Sequence, residues 1–248
     1  MSGIYTFLLR LCNYPFGEDV RLEIVEADGG EWPLFVRIPA WCESAMVKVN
    51  GVERDSGNGC NGECGSVCNR SGRNGLRPSR FFRIDRRWKV GDVVTLAFPQ
   101  KTRLSHWEHD AVSVRRGALL YALKIAEKES EVKRYKIPYE DRWVEDGICG
   151  FPRKEIRPAS PWGYALLLSR DGSLAGEEVC NGGLELKVRA VRTDFGGWGH
   201  MRQVIFGRPT DPPPSPVPRE DGEDKTISLV PFGLTRIRIA LFPWMDGD

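Results

Sequence analysis

Between Glu31 and Gly51 the sequence reads EWPLFVRIPAWCESAMVKVNG, and its alternation restricts the fold more than any other feature of the chain. Leu34, Val36 and Ile38 take turns with Phe35 and Arg37, and Val47 and Val49 flank Lys48. Successive side chains on a strand point to opposite faces, so a period of two marks a sheet with one dry and one wet side. Pro39 has no N–H to give and ends the first strand. Asn50-Gly51 follows the second, and both residue types tolerate the positive φ that a type I′ hairpin turn requires. The stretch therefore reads strand, bend, strand, tight turn.

The same grammar runs through the rest of the chain. Val20, Leu22 and Ile24 share one face, with Arg21 and Glu23 on the other, and Asp28-Gly29-Gly30 supplies a turn. Residues 54–80 break the rhythm with Gly, Asn, Ser, Arg and three cysteines, and read as a long exposed insertion between hairpin strands. Phe81–Asp85 resumes the strand pattern, Trp88–Asp92 turns, and Val93–Phe98 is apolar on both faces, as a central strand is. Short strands are expected at Arg103–Trp107, Val112–Val114, Ala118–Ile125, Tyr164–Ser169, Leu184–Val191, Ile227–Pro231 and Thr235–Leu241. The charged run Glu127–Arg134 reads as solvated, and residues 135–163 as an ordered loop rich in Tyr, Trp, Pro and Gly. The segment 209–218, PTDPPPSPVP, is too rich in proline to pair and is expected to lie extended on the surface.

Roughly ten to twelve short strands with turns between them, and no helix, indicate an all-β protein. A restart near residue 100 divides it into two consecutive antiparallel β-sandwich (jelly-roll-like) domains, residues 1–101 and 102–248.

Composition narrows the partners. The net charge is +2, from 36 basic and 34 acidic side chains, which gives no global field for nucleic acid or an anionic membrane. No run of about 18 apolar residues is present to span a bilayer. The opening MSGIYTFLLRLCNYPFGEDV lacks a basic n-region and is not read as a signal peptide, which favours the cytoplasm.

Catalytic motifs are missing at sequence level: there is no Gly-rich phosphate loop and no G-x-S-x-G elbow. His106 and His109 would clasp a metal on a helix, but their flanks read as strand and turn, which assigns them to the surface. Cys60, Cys64 and Cys68 form C-x3-C-x3-C. Zinc, a disulfide and free thiols all fit that spacing, with free thiols preferred because no fourth ligand is near. Trp107, Trp143, Trp162, Tyr164 and Trp198 lie in or beside loops. Flat rings of this kind stack on sugars, although such rings more commonly pack an interface. Trp107, Trp162 and Tyr164 are the candidate carbohydrate-binding residues.

Five segments carry a resemblance: YPFGEDVRLEI, PLFVRIPAWCESAMVKVNG, FFRIDRRWKVGDVVTLAFP, VSVRRGALLYALKI and IRPASPWGYALLL, in that order. Together they resemble the C-terminal part of the β-L-arabinofuranosidase family, glycoside hydrolase family 127, over about Tyr14 to Phe242. The resemblance implies a catalytic (α/α)6 barrel followed by two β-sandwiches, with a zinc-held cysteine nucleophile inside the barrel. This chain matches only the sandwich portion. It is therefore expected to be a fragment that begins mid-protein, to have no catalytic residues and no metal or cofactor of its own, and to be inactive alone. Its expected role is to brace the barrel, in cis or in trans, and to offer an oligomer contact. The alternative is a free-standing carbohydrate-binding module built on the loop aromatics.

Overall fold

The computed structural model describes residues 7–54, 80–132, 134–136, 143–145, 154–194, 198, 212–218 and 222–247. The chain divides into two compact units, Met1–Thr102 with Arg116–Leu119, and Arg103–Arg115 with Leu120–Asp248. Nineteen strands and short 3-10 turns make up the regular structure of the described residues, with no α-helix and hence no (α/α)6 barrel among them. No helix there is long and apolar enough to cross a membrane.

The first unit holds β1 (Phe7–Cys12), β2 (Asp19–Glu26), β3 (Glu31–Ile38), β4 (Met46–Val49), β5 (Val52–Arg54), β6 (Arg80–Arg87) and β7 (Val93–Ala97). One sheet runs β1-β2-β7-β4-β5 and the other is the pair β3-β6. Alternation explains how they pack. Val20 and Ile24 of β2, Val94 and Leu96 of β7, and Val47 and Val49 of β4 face Val36 and Ile38 of β3 and Ile84 of β6 in one buried cluster. Each such side chain contributes about 1.5–3 kcal/mol on full burial. Trp88 is wholly buried, rests against Trp32 at 5.4 Å between ring centres, and donates its indole N–H to the Trp32 carbonyl at 3.0 Å. Asn50 and Gly51 join β4 to β5 with φ of 51° and 79°, the left-handed pair that the hairpin demanded. Pro33 sits opposite Asp85 in β3, which among the described residues pairs with β6 alone, an edge position of the kind where a strand proline is tolerated.

The second unit is built on β8 (Thr102–His106), β9 (Val112–Arg116), β10 (Leu119–Leu123), β11 (Glu127–Glu131), β12 (Arg134–Lys136), β13 (Trp143–Glu145), β14 (Lys154–Pro158), β15 (Tyr164–Leu168), β16 (Glu178–Cys180), β17 (Glu185–Arg192), β18 (Asp224–Pro231) and β19 (Trp244–Asp246). Its main sheet runs β19-β15-β17-β18-β10-β9-β8, with β16 attached to β17; β11-β14 and β12-β13 are separate ribbons. All pairings shown are antiparallel except β15 with β19. Val112 of β9 and Phe242, just before β19, exchange backbone hydrogen bonds of 2.8 and 2.9 Å. The sheet therefore curls, and its two layers are opposing parts of one sheet. Tyr121, Leu166, Leu186 and Leu229 are fully buried, and the Tyr121 hydroxyl donates to the Gly183 carbonyl at 2.5 Å.

Two readings of the second unit are corrected by the structure. Residues 235–241 form no strand, because the Glu127 carboxylate accepts the backbone N–H groups of Arg236 (3.0 Å) and Ile237 (3.1 Å) that a ladder would use. The charged run is exposed, as expected, and is also a strand: Glu127–Glu131 is β11, paired in register with β14. The proline-rich segment does not simply lie on the surface. Pro212, Pro213 and Val217 are buried, the Val217 N–H donates to the Trp244 carbonyl at 2.9 Å, and Val217 joins Ala165, Leu167, Val191 and Met245 in a core cluster. Individual residues of this stretch thus turn inward while the ring nitrogens ask for no partner. The cysteines Cys60, Cys64 and Cys68 fall outside the described residues, as does nearly all of the insertion.

Candidate functional site

Trp107 leaves β8 into a 3-10 turn, Glu108–Asp110, in which His109 and Asp110 both have positive φ, 59° and 56°. Its indole N–H donates to the Ser113 hydroxyl at 2.9 Å, and the side of the ring left over keeps the residue 52% exposed. The two histidines have separate partners. His106 Nδ1 lies 2.6 Å from Asp110 Oδ1, whereas His109 Nδ1 lies 3.2 Å from the Pro212 carbonyl. They do not converge on a common point.

Trp162 and Tyr164 are brought together at the start of β15, and Trp198 joins them. Trp162 is only 7% exposed and meets Trp198, 3% exposed, edge to face at 5.5 Å and 79°. The Trp198 indole N–H donates to the Tyr164 carbonyl at 3.4 Å, which fixes the ring. Sheet register does the rest. β15 and β17 pair with Tyr164 opposite Arg192, and the Thr193 N–H donates to the Gly163 carbonyl at 3.2 Å one step further on. The polar end of β17 therefore closes on the aromatic entry to β15. Between them opens a cleft of about 370 Å³ lined by Trp162, Trp198, Arg192, Thr193, Asp194 and Gly222, among others. Trp107 is not part of this lining.

Of the three candidates Trp107, Trp162 and Tyr164, Trp162 alone lines the cleft, beside Trp198, which the sequence also sets near a loop; the polar groups carry no such signal. Arg192-Thr193-Asp194 looks like an ordinary strand exit, and only the register of β15 on β17 sets it beside Trp162. The lining offers hydrogen-bond donors and acceptors on an apolar wall. Among its described lining residues Asp194 is the one carboxylate.

A second depression of about 350 Å³ is lined by Lys124, Glu127, Thr235 and Arg236, with Ile125, Val230 and Leu234. Its carboxylates are saturated with donors. The Arg236 guanidinium, followed by the Ile237 N–H, holds Glu127 below the usual carboxylate range, against a smaller opposing effect of burial. Lys154 and then Arg236 do the same for the neighbouring Glu129, and Glu129 in turn raises Lys154. A carboxylate kept ionised in this way is a poor general acid at neutral pH and serves here as a brace. Among the described residues no three His, Cys, Asp or Glu side chains converge as a metal site, so the zinc implied by the family resemblance finds no donor set there.

Residues 7–100, which span the sandwich of the first unit, match the family described as Beta-L-arabinofuranosidase, GH127 middle domain. Over those residues the chain is similar to a GH127 middle domain. Among solved structures, a GH127 β-L-arabinofuranosidase from Geobacillus stearothermophilus T6 aligns with 100% of this chain and 31% of its own length, at 20% identity and a TM-score of 0.51. Another, described as a glycoside hydrolase, aligns with 99% of this chain and 35% of its own, at 19% identity and a TM-score of 0.50. At such identity the likeness is one of fold. No curated protein matches the chain. The chain thus spans about a third of the length of the solved structures it resembles. The Trp162 cleft lies beyond the residues that match the GH127 middle domain, in the second unit.

Proposed function

We propose that this chain is the non-catalytic accessory β-region of a glycoside hydrolase of the β-L-arabinofuranosidase kind, and that it braces a catalytic barrel supplied in cis or in trans. One observation carries the reading: the whole chain aligns with a third of a GH127 enzyme, while its described residues include no α-helix from which a barrel could be built. On this reading residues 1–101 and 102–248 act as two sandwich domains, and the reacting cysteine with its zinc belongs to the barrel. Assay of the purified chain on an aryl β-L-arabinofuranoside tests it. No turnover above a heat-treated control is expected, and zinc-independent or zinc-dependent turnover at an enzyme-like rate would end the proposal.

A second reading is carbohydrate binding through Trp107, Trp162 and Tyr164. The half-exposed, hydrogen-bond-anchored indole of Trp107 favours it, because an immobilised ring with one open face offers a stacking surface at little cost in entropy. Tryptophan fluorescence during titration with arabino-oligosaccharides tests it. A signal unchanged through millimolar ligand removes this reading.

A further inference from the structure

We propose that the outer face of the β3–β6 ribbon in the first unit is a self-complementary contact on which a second copy of this chain docks face to face. This gives a place to the oligomer contact expected from the sequence. It does not depend on the accessory role, which the arabinofuranoside assay tests separately.

Burial and register define the face. Val36, Ile38 and Ile84 point into the sandwich, so the residues that alternate with them point out. Two of the outward residues are phenylalanines, Phe35 at 52% exposure and Phe81 at 58%. A lone exposed apolar residue is ordinary, but these two are diagonal neighbours on the ladder, with Phe35 opposite Arg83 and Phe81 opposite Arg37. The other rows set Pro33 opposite Asp85 and Glu31 opposite Arg87. Neighbouring rings rimmed by charged groups are the pattern of a contact surface. Pro33 discourages edge-on addition of another strand to β3, which leaves the face as the route of association.

The charges choose the partner. A two-fold axis parallel to the strands lays the β3 column of one copy over the β6 column of the other and keeps the rows level. Glu31 then faces Arg87 of the second copy, Phe35 faces Arg83 and Arg37 faces Phe81, each contact occurring twice. An arginine over an aromatic ring is attracted to it. Arg83 is already set for this, because it pairs with Asp85 at 2.9 Å and stands 5.7 Å from the centre of the Phe35 ring within its own chain. No row brings like charges together. A strongly acidic partner would meet Glu31 and Asp85, and a strongly basic one the three arginines, whereas a copy meets a complement throughout. The face is small beside the roughly 20–30 residues a side of a standard interface, so the dimer is weak, with a dissociation constant on the order of 100 µM.

Sedimentation equilibrium of the full chain from about 5 to about 500 µM at low salt tests the proposal. Most of the chain is expected as dimer at the top of that range. Phe35→Ser and Phe81→Ser should each weaken the dimer tenfold or more. Glu31→Arg and Arg87→Glu should each weaken it about tenfold, because each sets like charges together across the axis. Mixed one to one, these two variants carry opposite charges at every such position and should regain the parent's affinity. Restoration between two different chains cannot come from repair of the fold within either. A chain that stays monomeric through about 500 µM overturns the proposal. So does a dimer that survives both serine substitutions, or a mixture that associates no more tightly than its components. Should a variant fail to fold, the ring-proton resonances of Phe35 and Phe81 in the unaltered chain decide: they shift with concentration if this face is the contact, and constant positions overturn it.

Discussion

Asp92 is the residue on which the first unit's hairpin depends. It is 6% exposed, yet it stays ionised because it accepts from Asn50 (2.7 Å), the Lys89 N–H (2.9 Å) and the Arg86 guanidinium (3.1 and 3.2 Å). Burial is the largest single influence and pushes its pKa up, but these hydrogen bonds and the Arg86 charge together carry it below the ordinary value of 3.8. Asn50 relays the contact, since its side-chain oxygen takes the Val93 N–H at 2.8 Å and so ties the turn to β7. Asp92→Ala strands these donors and should cost about 3 kcal/mol in urea unfolding. A lowered folded pKa means that the unfolded state binds the proton more tightly. The stabilisation is then complete above the unfolded value and is lost as pH falls through the folded one. The stability gap between the parent chain and Asp92→Asn should accordingly hold steady from pH 7 to about pH 5 and narrow below about pH 4. Two glycines of the same unit separate backbone strain from crowding. At Gly51 (φ 79°) an added Cβ meets nothing within 4 Å, so Gly51→Ala should cost about 1 kcal/mol from the left-handed backbone alone. At Gly117 (φ 57°) it would come within 2.7 Å of the buried Gln100 side chain. Gln100 cannot yield easily, because it donates to the Pro15 and Gly17 carbonyls and accepts from Arg116. Gly117→Ala should therefore cost about 2–4 kcal/mol, and equal losses at the two positions would refute the steric argument.

Among the elements, β11 shows what local pattern leaves out. EKESE has no apolar residue, so no period announces a strand, yet Glu127 and Glu129 clamp Arg236 while Lys154 of β14 clamps Glu129. Glu127→Gln should speed hydrogen exchange at the Arg236 and Ile237 amides and leave the Leu229 amide, within β18, at its parent rate. Uniform acceleration across the second unit would mean a global loss of stability and not a local clip. β2, β3, β4 and β7 were legible because their cores are lined by every second residue, and the Asn50-Gly51 turn because its chemistry is local. Thr235–Leu241 misled because its alternation is real but its backbone donors are captured by a residue more than a hundred positions away. The prolines misled for the opposite reason: their composition argues against pairing, but not against burying Val217 between them. Trp162 and Tyr164 could be singled out from sequence as aromatics near a loop. That Trp162 would be buried against Trp198, with Arg192 and Asp194 alongside, depends on register between two strands and is not written in either one.

At the scale of the whole molecule, each unit keeps its own core. In the first, Val94 is fully buried on the central strand β7, amid Val20, Val36, Val47 and Trp88. In the second, Leu229 is fully buried on β18, which lies between β17 and β10. Truncation of either side chain leaves a cavity, at about 2 kcal/mol for Val94→Ala and about 3 kcal/mol for Leu229→Ala. Separate cores predict separate cooperative transitions, each sensitive only to its own damage. In calorimetry Val94→Ala should lower one transition by about 10 °C and Leu229→Ala should lower the other by a similar amount. A single transition displaced by both would show that the two β units unfold as one cooperative body.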